Sequence, residues 1–225
     1  TRDIEDLEIA ILLDAIFARY GFDFRDYAPA SLKRRILKCV QDEKLESVSG
    51  LQERVLHQPG TMPRLLNTLS IDVTAMFRDP GFYAAFRGKV VPLLRQAPFV
   101  RLWHVGCASG EEVYSMAILL QEEGLYEKCR LYATDLNEVS LKKAQEGIFP
   151  LKNMKDYTDN YQRGGGQREF SEYYTAKYDN ALFRPALKKN IVWAQHNLVS
   201  DASFNEFHVV LCRNVMIYFN QSLQA

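Results

Sequence analysis

The stretch that decides the fold is Leu102-Trp103-His104-Val105-Gly106-Cys107-Ala108-Ser109-Gly110-Glu111-Glu112-Val113-Tyr114-Ser115. An apolar run rich in β-forming residues, 99–105, ends at Gly106, and a helical pattern of apolar residues follows Gly110. This order predicts a strand, a tight glycine loop and a helix. Such a loop lets the backbone approach a ligand closely and directs the N–H groups of the helix start toward it.

The charges beside the loop indicate which ligand it would hold. Glu111 and Glu112 lie where the pyrophosphate of a dinucleotide would rest, and two carboxylates there would repel it. A nucleoside with a cationic tail fits better, and S-adenosylmethionine carries an ammonium and a sulfonium. Ser109 lies one place too late for a GxSxG nucleophile motif, and the third glycine of GxGxxG is absent. For the loop alone, an ordinary βα turn with glutamates on the helix dipole remains an alternative.

The pattern that follows predicts a parallel sheet. Strands are predicted at 99–105, 130–134, 190–195 and 207–212, and helices at 112–123 and 137–146. Alternation of this kind indicates right-handed crossovers and a ligand site at the carboxyl ends of the strands. Asp135 ends the second strand, where a carboxylate can bind both hydroxyls of a ribose. Asn197 and Leu198 follow the third strand, where an amide and an apolar wall suit an adenine.

Two further points concern this half of the chain. Asp135 could instead be the N-cap of the next helix, but Asn137 already suits that task. The connection between helix 137–146 and the next strand is far longer than usual, so residues from about 147 to 189 are predicted to form an inserted subdomain. A flexible glycine-rich loop around Gly164-Gly165-Gly166 is the alternative.

The pattern in the first third of the chain predicts a small helical domain. Helices are expected at 3–19, after a Ser31 cap, after a Ser49/Gln52 capping box, and from Pro63 to about residue 70. The second helix carries four basic residues, which either dock an acidic partner or form a solvated face: Lys33, Arg34, Arg35 and Lys38.

Composition limits the class of protein. The 225 residues hold 28 Lys+Arg and 28 Asp+Glu, so a general nucleic-acid binder is disfavoured. The four cysteines show no metal-ligand spacing, and we expect reduced thiols, no metal and a cytoplasmic location. No signal peptide or membrane-spanning run is present, so direct membrane insertion is not expected. The remaining strands of such a sheet are missing, so the natural protein is expected to continue.

Three stretches resemble the CheR family of chemotaxis receptor methyltransferases. They are Thr74-Ala75-Met76-Phe77-Arg78, similar to T-x-F-F-R; Ala108 to Ser115, similar to A-S-T-G-E-E-P-Y-S; and Cys212 to Phe219, which equals C-R-N-V-M-I-Y-F. The resemblance implies an all-α N-terminal domain, 1–70, and a linker with a connecting helix, 71–98. It also implies an α/β, Rossmann-like class I SAM-dependent methyltransferase domain, 99–225, that contains a small antiparallel β-subdomain.

The same resemblance implies methyl transfer from S-adenosylmethionine to receptor glutamates, giving glutamyl methyl esters and S-adenosylhomocysteine. It assigns the methionine end to Thr74 and Arg78, the ammonium to Glu112, the ribose to Asp135, and the adenine to Asn197 and Leu198. Gly106 belongs to the cofactor loop, and Asp72 stands where the family often has Asn. Arg213, Asn214 and Tyr218 would face the sulfonium and the acceptor, with Arg213 and Tyr218 as the catalytic residues. Arg34, Arg35 and Lys38 would dock the helical cytoplasmic region of a chemoreceptor.

The chemistry needs little from the protein, because a glutamate side chain with a pKa near ~4.3 is already ionised at neutral pH and requires no general base. No His is positioned to act as a general base. Two other functions stay open: a noncatalytic S-adenosylmethionine-binding signalling module, and a nucleic-acid methyltransferase that uses Lys33 to Lys38. We expect a monomer, and weak or no binding of a receptor tail peptide to the inserted subdomain.

Overall fold

The computed structural model describes residues 4–69 and 74–220, which form two compact units. The first unit holds the described residues up to 69, with 197–202 and 213–220. The second unit holds 74–196 and 203–212. Within these described ranges, no helix is long and apolar enough to cross a membrane.

The first unit contains four α-helices among its described residues: α1 (Ile4–Tyr20), α2 (Pro29–Asp42), α3 (Val48–His57) and α4 (Thr61–Leu69). Helix α1 ends where Gly21 takes a φ of +74°. The predicted Ser31 cap is wrong, because α2 already begins at Pro29, whose ring fixes φ at the first helical position. The predicted Ser49 box is also wrong, since Ser47 Oγ accepts the N–H of Gly50 (3.1 Å).

The last described residues of the chain pack within this unit. The N–H of Ala28 donates to the carbonyl of Tyr218 (2.8 Å), and that of Asn220 donates to the carbonyl of Asp26 (2.7 Å). The rings of Tyr27 and Phe219 meet edge to face at 5.2 Å. The end of the Cys212 to Phe219 segment is therefore held against the residues that precede α2.

The second unit is built around a four-stranded parallel sheet of order β6-β2-β1-β7. Its elements in chain order are α5 (Pro80–Ala85), α6 (Val91–Leu94), β1 (Val100–Val105), α7 (Glu111–Glu122), β2 (Cys129–Asp135), α8 (Glu138–Glu146), β3 (Ile148–Pro150), α9 (Met154–Arg163), β4 (Tyr174–Lys177), β5 (Asn180–Phe183), β6 (Ile191–Gln195) and β7 (Val209–Leu211). The predicted α/β class is confirmed. Helix α7 is buried along most of its length and forms the core with β1 and β2.

The long connection forms the predicted small antiparallel sheet, of order β3-β5-β4. It also contains α9, which the sequence analysis did not predict. The glycine triplet ends this helix, and Gly166 packs so closely on Tyr161 that a Cβ there would lie 2.3 Å from the ring. The glycines therefore serve close packing as well as the turn.

The subdomain is attached to α7 by a buried carboxylate. The Glu122 side chain has no exposed surface and accepts hydrogen bonds from the hydroxyls of Tyr161 and Tyr173. It also accepts from the N–H of Gln167 and pairs with Arg87. Burial, and then Glu122, raise the pKa of Tyr161 to about 12 and raise the pKa of Tyr173 further still. One carboxylate thus joins α7 to Arg87 and to three residues of the inserted subdomain.

Candidate functional site

The loop after β1 has the backbone conformation that its glycines predict. Gly106 and Gly110 take φ values of +63° and +95°, and Ala108 takes +48°. The N–H of Cys107 donates to the carbonyl of Thr134 (2.9 Å), which holds the loop at the end of β2. A Cβ on Gly110 would lie 2.9 Å from the Cβ of Ala144, so glycine is required there for packing and for φ.

Asp135 stands at the carboxyl end of β2, and two backbone groups fix its carboxylate. Oδ2 accepts the N–H of Ala108 and Oδ1 accepts the N–H of Asn137, both at 2.8 Å. Asn137 is the N-cap of α8, since its Oδ1 accepts the N–H of Val139 (3.0 Å). Asp135 is therefore not that cap, and its carboxylate ties the glycine loop to the second strand.

The two glutamates that begin α7 differ in their surroundings. Glu111 is buried, and its carboxylate accepts hydrogen bonds from the hydroxyls of Ser109 (2.7 Å) and Tyr157 (3.4 Å). Glu112 keeps 17% of its side chain exposed, and its Oε1 lies 2.9 Å from Nδ1 of His104. Both carboxylates lie at the positive end of the helix dipole. These two acceptor groups suit a ligand with hydroxyls and a cation, whereas they would repel a phosphate.

The segment that contains Thr74 and Arg78 crosses α7 close to these glutamates. The N–H of Phe77 donates to Ser115 Oγ (2.9 Å), and that hydroxyl donates to the carbonyl of Glu111 (2.6 Å). Thr74 and Arg78 are both half-buried. The structure thus fixes the segment between Thr74 and Arg78 to α7 through Phe77 and Ser115. Asp72 lies outside the described residues.

The predicted adenine residues belong to the first unit. Asn197 is buried, and its Oδ1 accepts the N–H of Val199 (3.1 Å) in a side-chain turn. Leu198 is half-buried. The preceding residue, His196, still lies in the second unit and donates its N–H to the carbonyl of Asp135 (3.1 Å).

The predicted catalytic residues also belong to the first unit. Arg213 and Tyr218 are half-buried, and Asn214 is exposed with a φ of +58°. Burial, and then Arg34, lower the pKa of Arg35, whereas Tyr218 acts on it in the opposite direction. Tyr218 therefore lies within electrostatic range of Arg35, which the sequence pattern did not indicate.

The basic face of α2 is narrower than its sequence suggests. Arg34 and Lys38 are exposed, and Lys38 pairs with Asp42 (3.5 Å). Arg35 instead donates Nη1 to the carbonyls of Thr68 (3.4 Å) and Leu69 (3.1 Å) at the end of α4. Lys33 pairs with Glu5 (2.6 Å) and Asp6 (2.7 Å).

The thiols do not suit nucleophilic chemistry. Burial raises the pKa of Cys107 well above its usual range, and burial also raises that of Cys212. Residues 4–69 and 74–220 contain no group of three or more His, Cys, Asp or Glu side chains arranged to hold a metal ion.

Sequence reasoning missed His104. It lies eight residues before Glu112, and the loop between them turns the chain so that the start of α7 faces β1. A polar residue at an inward position of a buried strand was the available signal.

Comparison with known proteins identifies the family. Residues 72–225 match the CheR methyltransferase SAM-binding domain, and residues 7–70 match the CheR methyltransferase all-alpha domain. The Cher3 protein of Pseudomonas putida, whose name describes it as a candidate methyltransferase, is 51% identical over 219 residues, covering 97% of this chain and 80% of the relative. A chemotaxis protein methyltransferase of Listeria innocua is 27% identical, covering 88% and 74%. Chemotaxis protein methyltransferase 1 of Pseudomonas aeruginosa is 27% identical, covering 84% and 71%.

These matches span both units and include Glu112 at the start of α7 and Asp135 at the end of β2. The SAM-binding domain makes S-adenosylmethionine the methyl donor. The chain belongs to the CheR methyltransferase family.

Proposed function

We propose that this protein is a glutamate O-methyltransferase of chemotaxis receptors that acts on their cytoplasmic helical region. The observation that carries the proposal is the carboxylate of Asp135, fixed at the end of β2 by the N–H groups of Ala108 and Asn137. A ribose needs an acceptor at this position, and a preorganised carboxylate accepts from two hydroxyls without reorganising. Glu112, next to the same loop, supplies the negative charge that the ammonium of S-adenosylmethionine requires.

The remaining roles follow the family resemblance. Thr74 and Arg78 would bind the methionine carboxylate, with Asp72 and Gly106 beside the cofactor, and Asn197 and Leu198 would bind the adenine. Arg213, Asn214 and Tyr218 would meet the acceptor, with the planar guanidinium of Arg213 pairing with a carboxylate. An arginine there would repel a lysine or arginine acceptor, which favours a glutamate.

Catalysis would rest on positioning. S-adenosylmethionine, as cosubstrate, supplies a methyl group on a positively charged sulfur. The glutamate oxygen forms a bond to this carbon as the carbon–sulfur bond breaks, which leaves a neutral sulfide and a methyl ester. The positive charge of the sulfonium and the negative charge of the carboxylate both disappear, so no proton has to be removed. The protein has to hold the two groups in line and replace the water around them with fixed polar groups.

The decisive experiment follows the chemical lability of the product. The protein is incubated with methyl-labelled S-adenosylmethionine and a receptor cytoplasmic fragment, and the washed receptor is then made alkaline. An ester releases the label as volatile methanol. Label that survives alkali would indicate N-methylation and overturn the proposal, and cofactor binding without any transfer would favour the noncatalytic signalling module.

The receptor-docking role is tested on α2, where Arg34 and Lys38 are exposed. Arg34→Glu with Lys38→Glu should slow receptor methylation several-fold at low salt and reduce its salt dependence, because steering by exposed charges is screened by ions. Affinity for S-adenosylhomocysteine should not change. Lys142→Glu, on the exposed face of α8, is the matched control. Unchanged methylation at low salt in the double variant would show that this face is only solvated.

A further inference from the structure

One buried polar group in the second unit is not used by the roles assigned so far. His104 lies on β1 with no exposed surface, and its partners in register are Ala133 on β2 and Leu211 on β7. Its Nδ1 lies 2.9 Å from Oε1 of Glu112. Its Nε2 is buried and has no hydrogen-bond partner among residues 4–69 and 74–220.

These contacts define how the imidazole is used. An ionised carboxylate only accepts hydrogen bonds, so Nδ1 carries the proton and donates it to Glu112. Nε2 is then left buried without a hydrogen-bond partner in the part of the chain that the structure describes. Burying a polar ring with one nitrogen unsatisfied is unfavourable, and an apolar side chain would suit this place in the sheet better. Packing alone therefore does not explain a histidine here.

The effect on Glu112 supplies the missing reason. A glutamate side chain on a first helical turn has three rotatable bonds and, when part-exposed, samples several rotamers. The hydrogen bond from the rigid strand fixes one carboxylate oxygen and with it the plane of the group. Trp103, the neighbour of His104, lies on the other face of β1 and bonds Thr134 (2.8 Å), so it does not contribute to this contact.

We propose that His104 is a positioning residue that holds the Glu112 carboxylate in the orientation that receives the ammonium of S-adenosylmethionine. The inference rests on the proposed role of Glu112. It adds a specific expectation: His104 should increase the affinity only of ligands that carry the amino group.

The test compares S-adenosylhomocysteine, which has the ammonium, with 5′-methylthioadenosine, which lacks the whole amino-acid tail. Both are titrated into the purified protein by calorimetry. His104→Leu should weaken S-adenosylhomocysteine about 3–10-fold, the effect of losing one orienting hydrogen bond, and leave methylthioadenosine within about twofold. In His104→Asn the new side chain is nearly isosteric with leucine but places an N–H close to the position of Nδ1. This variant should therefore retain most of the affinity for S-adenosylhomocysteine.

Other outcomes separate the two proposals. If His104→Leu weakens both ligands equally, or neither, His104 is a packing residue and the inference fails while the cofactor assignment stands. If the wild type binds neither ligand, the proposed function fails as well. Should His104→Leu not fold, His104→Gln, whose amide lies farther along the side chain, must weaken S-adenosylhomocysteine selectively. In a Glu112→Gln background, either substitution should have no further effect on the affinity ratio of the two ligands.

Discussion

The two ends of α7 carry the same kind of residue for opposite purposes. At its N-terminus, Glu111 and Glu112 lie at the positive end of the helix dipole, and Glu112 remains partly exposed. At its C-terminus the dipole disfavours negative charge, yet Glu122 is fully buried there. Tyrosine hydroxyls, a backbone N–H and Arg87 offset that cost.

The difference teaches how to separate a structural carboxylate from a candidate ligand group. The oxygens of Glu122 are surrounded by donors from its own chain and have no contact with solvent. Glu112 is accessible, and the histidine beneath it orients its carboxylate. Substitutions at the first end should therefore change binding, and substitutions at the second should change stability.

The largest effect is expected from Glu122→Ala. It removes one of the two carboxylates that pair with Arg87 and the acceptor of two tyrosine hydroxyls in a buried region, which should lower the free energy of unfolding by about 3–4 kcal/mol. Chemical denaturation measures the loss. Glu138→Ala, which breaks an exposed pair with Lys142 (3.1 Å), is the control and should cost no more than about 0.5 kcal/mol. Equal losses of unfolding free energy in the two variants would mean that the hydrogen bonds and ion pair of Glu122 do not stabilise the subdomain.

Asp135→Ala should combine both types of effect. Its carboxylate holds two backbone N–H groups, so the substitution should lower the unfolding free energy by about 1.5–3 kcal/mol. It should also weaken S-adenosylhomocysteine by at least about tenfold through the ribose. Calorimetry and denaturation are both needed. Lower stability with unchanged affinity would restrict Asp135 to a structural role.

Glu112→Gln should change binding alone. The amide oxygen still accepts from His104, so the fold should be retained, while the charge that attracts the ammonium is lost. We expect S-adenosylhomocysteine to bind about 10–100-fold more weakly, with the unfolding midpoint nearly unchanged. If denaturation shows a loss as large as that of Glu122→Ala, the two ends of α7 do not differ as proposed.

The smallest effect concerns pH at the C-terminal end. The pKa of Tyr161 is about 12, above its ordinary value of 10, so the stability that comes from its neutral phenol is complete below pH 10 and is lost as pH rises toward 12. Glu122→Gln removes one cause of this elevation, although burial is the larger cause. Spectroscopic titration of tyrosinate should show a slightly lower pKa in this variant. An unchanged or higher pKa would contradict the role of the Glu122 charge.

Much of the sheet could be predicted because it rests on local patterns. Apolar runs and the glycine loop predicted the strands and their parallel direction, with strand boundaries off by one or two residues, and the unusually long connection predicted an inserted subdomain. The cap at Asn137 is also local, since its side chain bonds two residues ahead. The predicted helix starts at Ser31 and Ser49 are wrong, because several residues in each stretch could have served as caps.

What could not be predicted depends on contacts distant in sequence. Arg35, which is predicted to dock a receptor, also bonds carbonyls at the end of α4, 33 and 34 residues away, and the helix pattern gave no sign of these bonds. Glu122 gave no signal that distinguished it from an exposed helix-end glutamate, because its partners come from 35 to 51 residues away. His104 and Glu112 could be linked only once the helix was known to face back onto the strand.

The base of the inserted subdomain has a consequence for protein engineering. Lys188, just before β6, donates Nζ to the carbonyls of Gln145 (3.2 Å) and Glu146 (3.0 Å) at the end of α8. The entry and exit of the subdomain are thus held together in the methyltransferase core. Because each doubling of loop length adds only about 0.6 kcal/mol of closure entropy, longer or shorter modules could be grafted between these points at little cost in chain entropy. A graft would have to keep the groups that satisfy Glu122, so compatibility at α7, rather than length, would limit the exchange of subdomains between relatives.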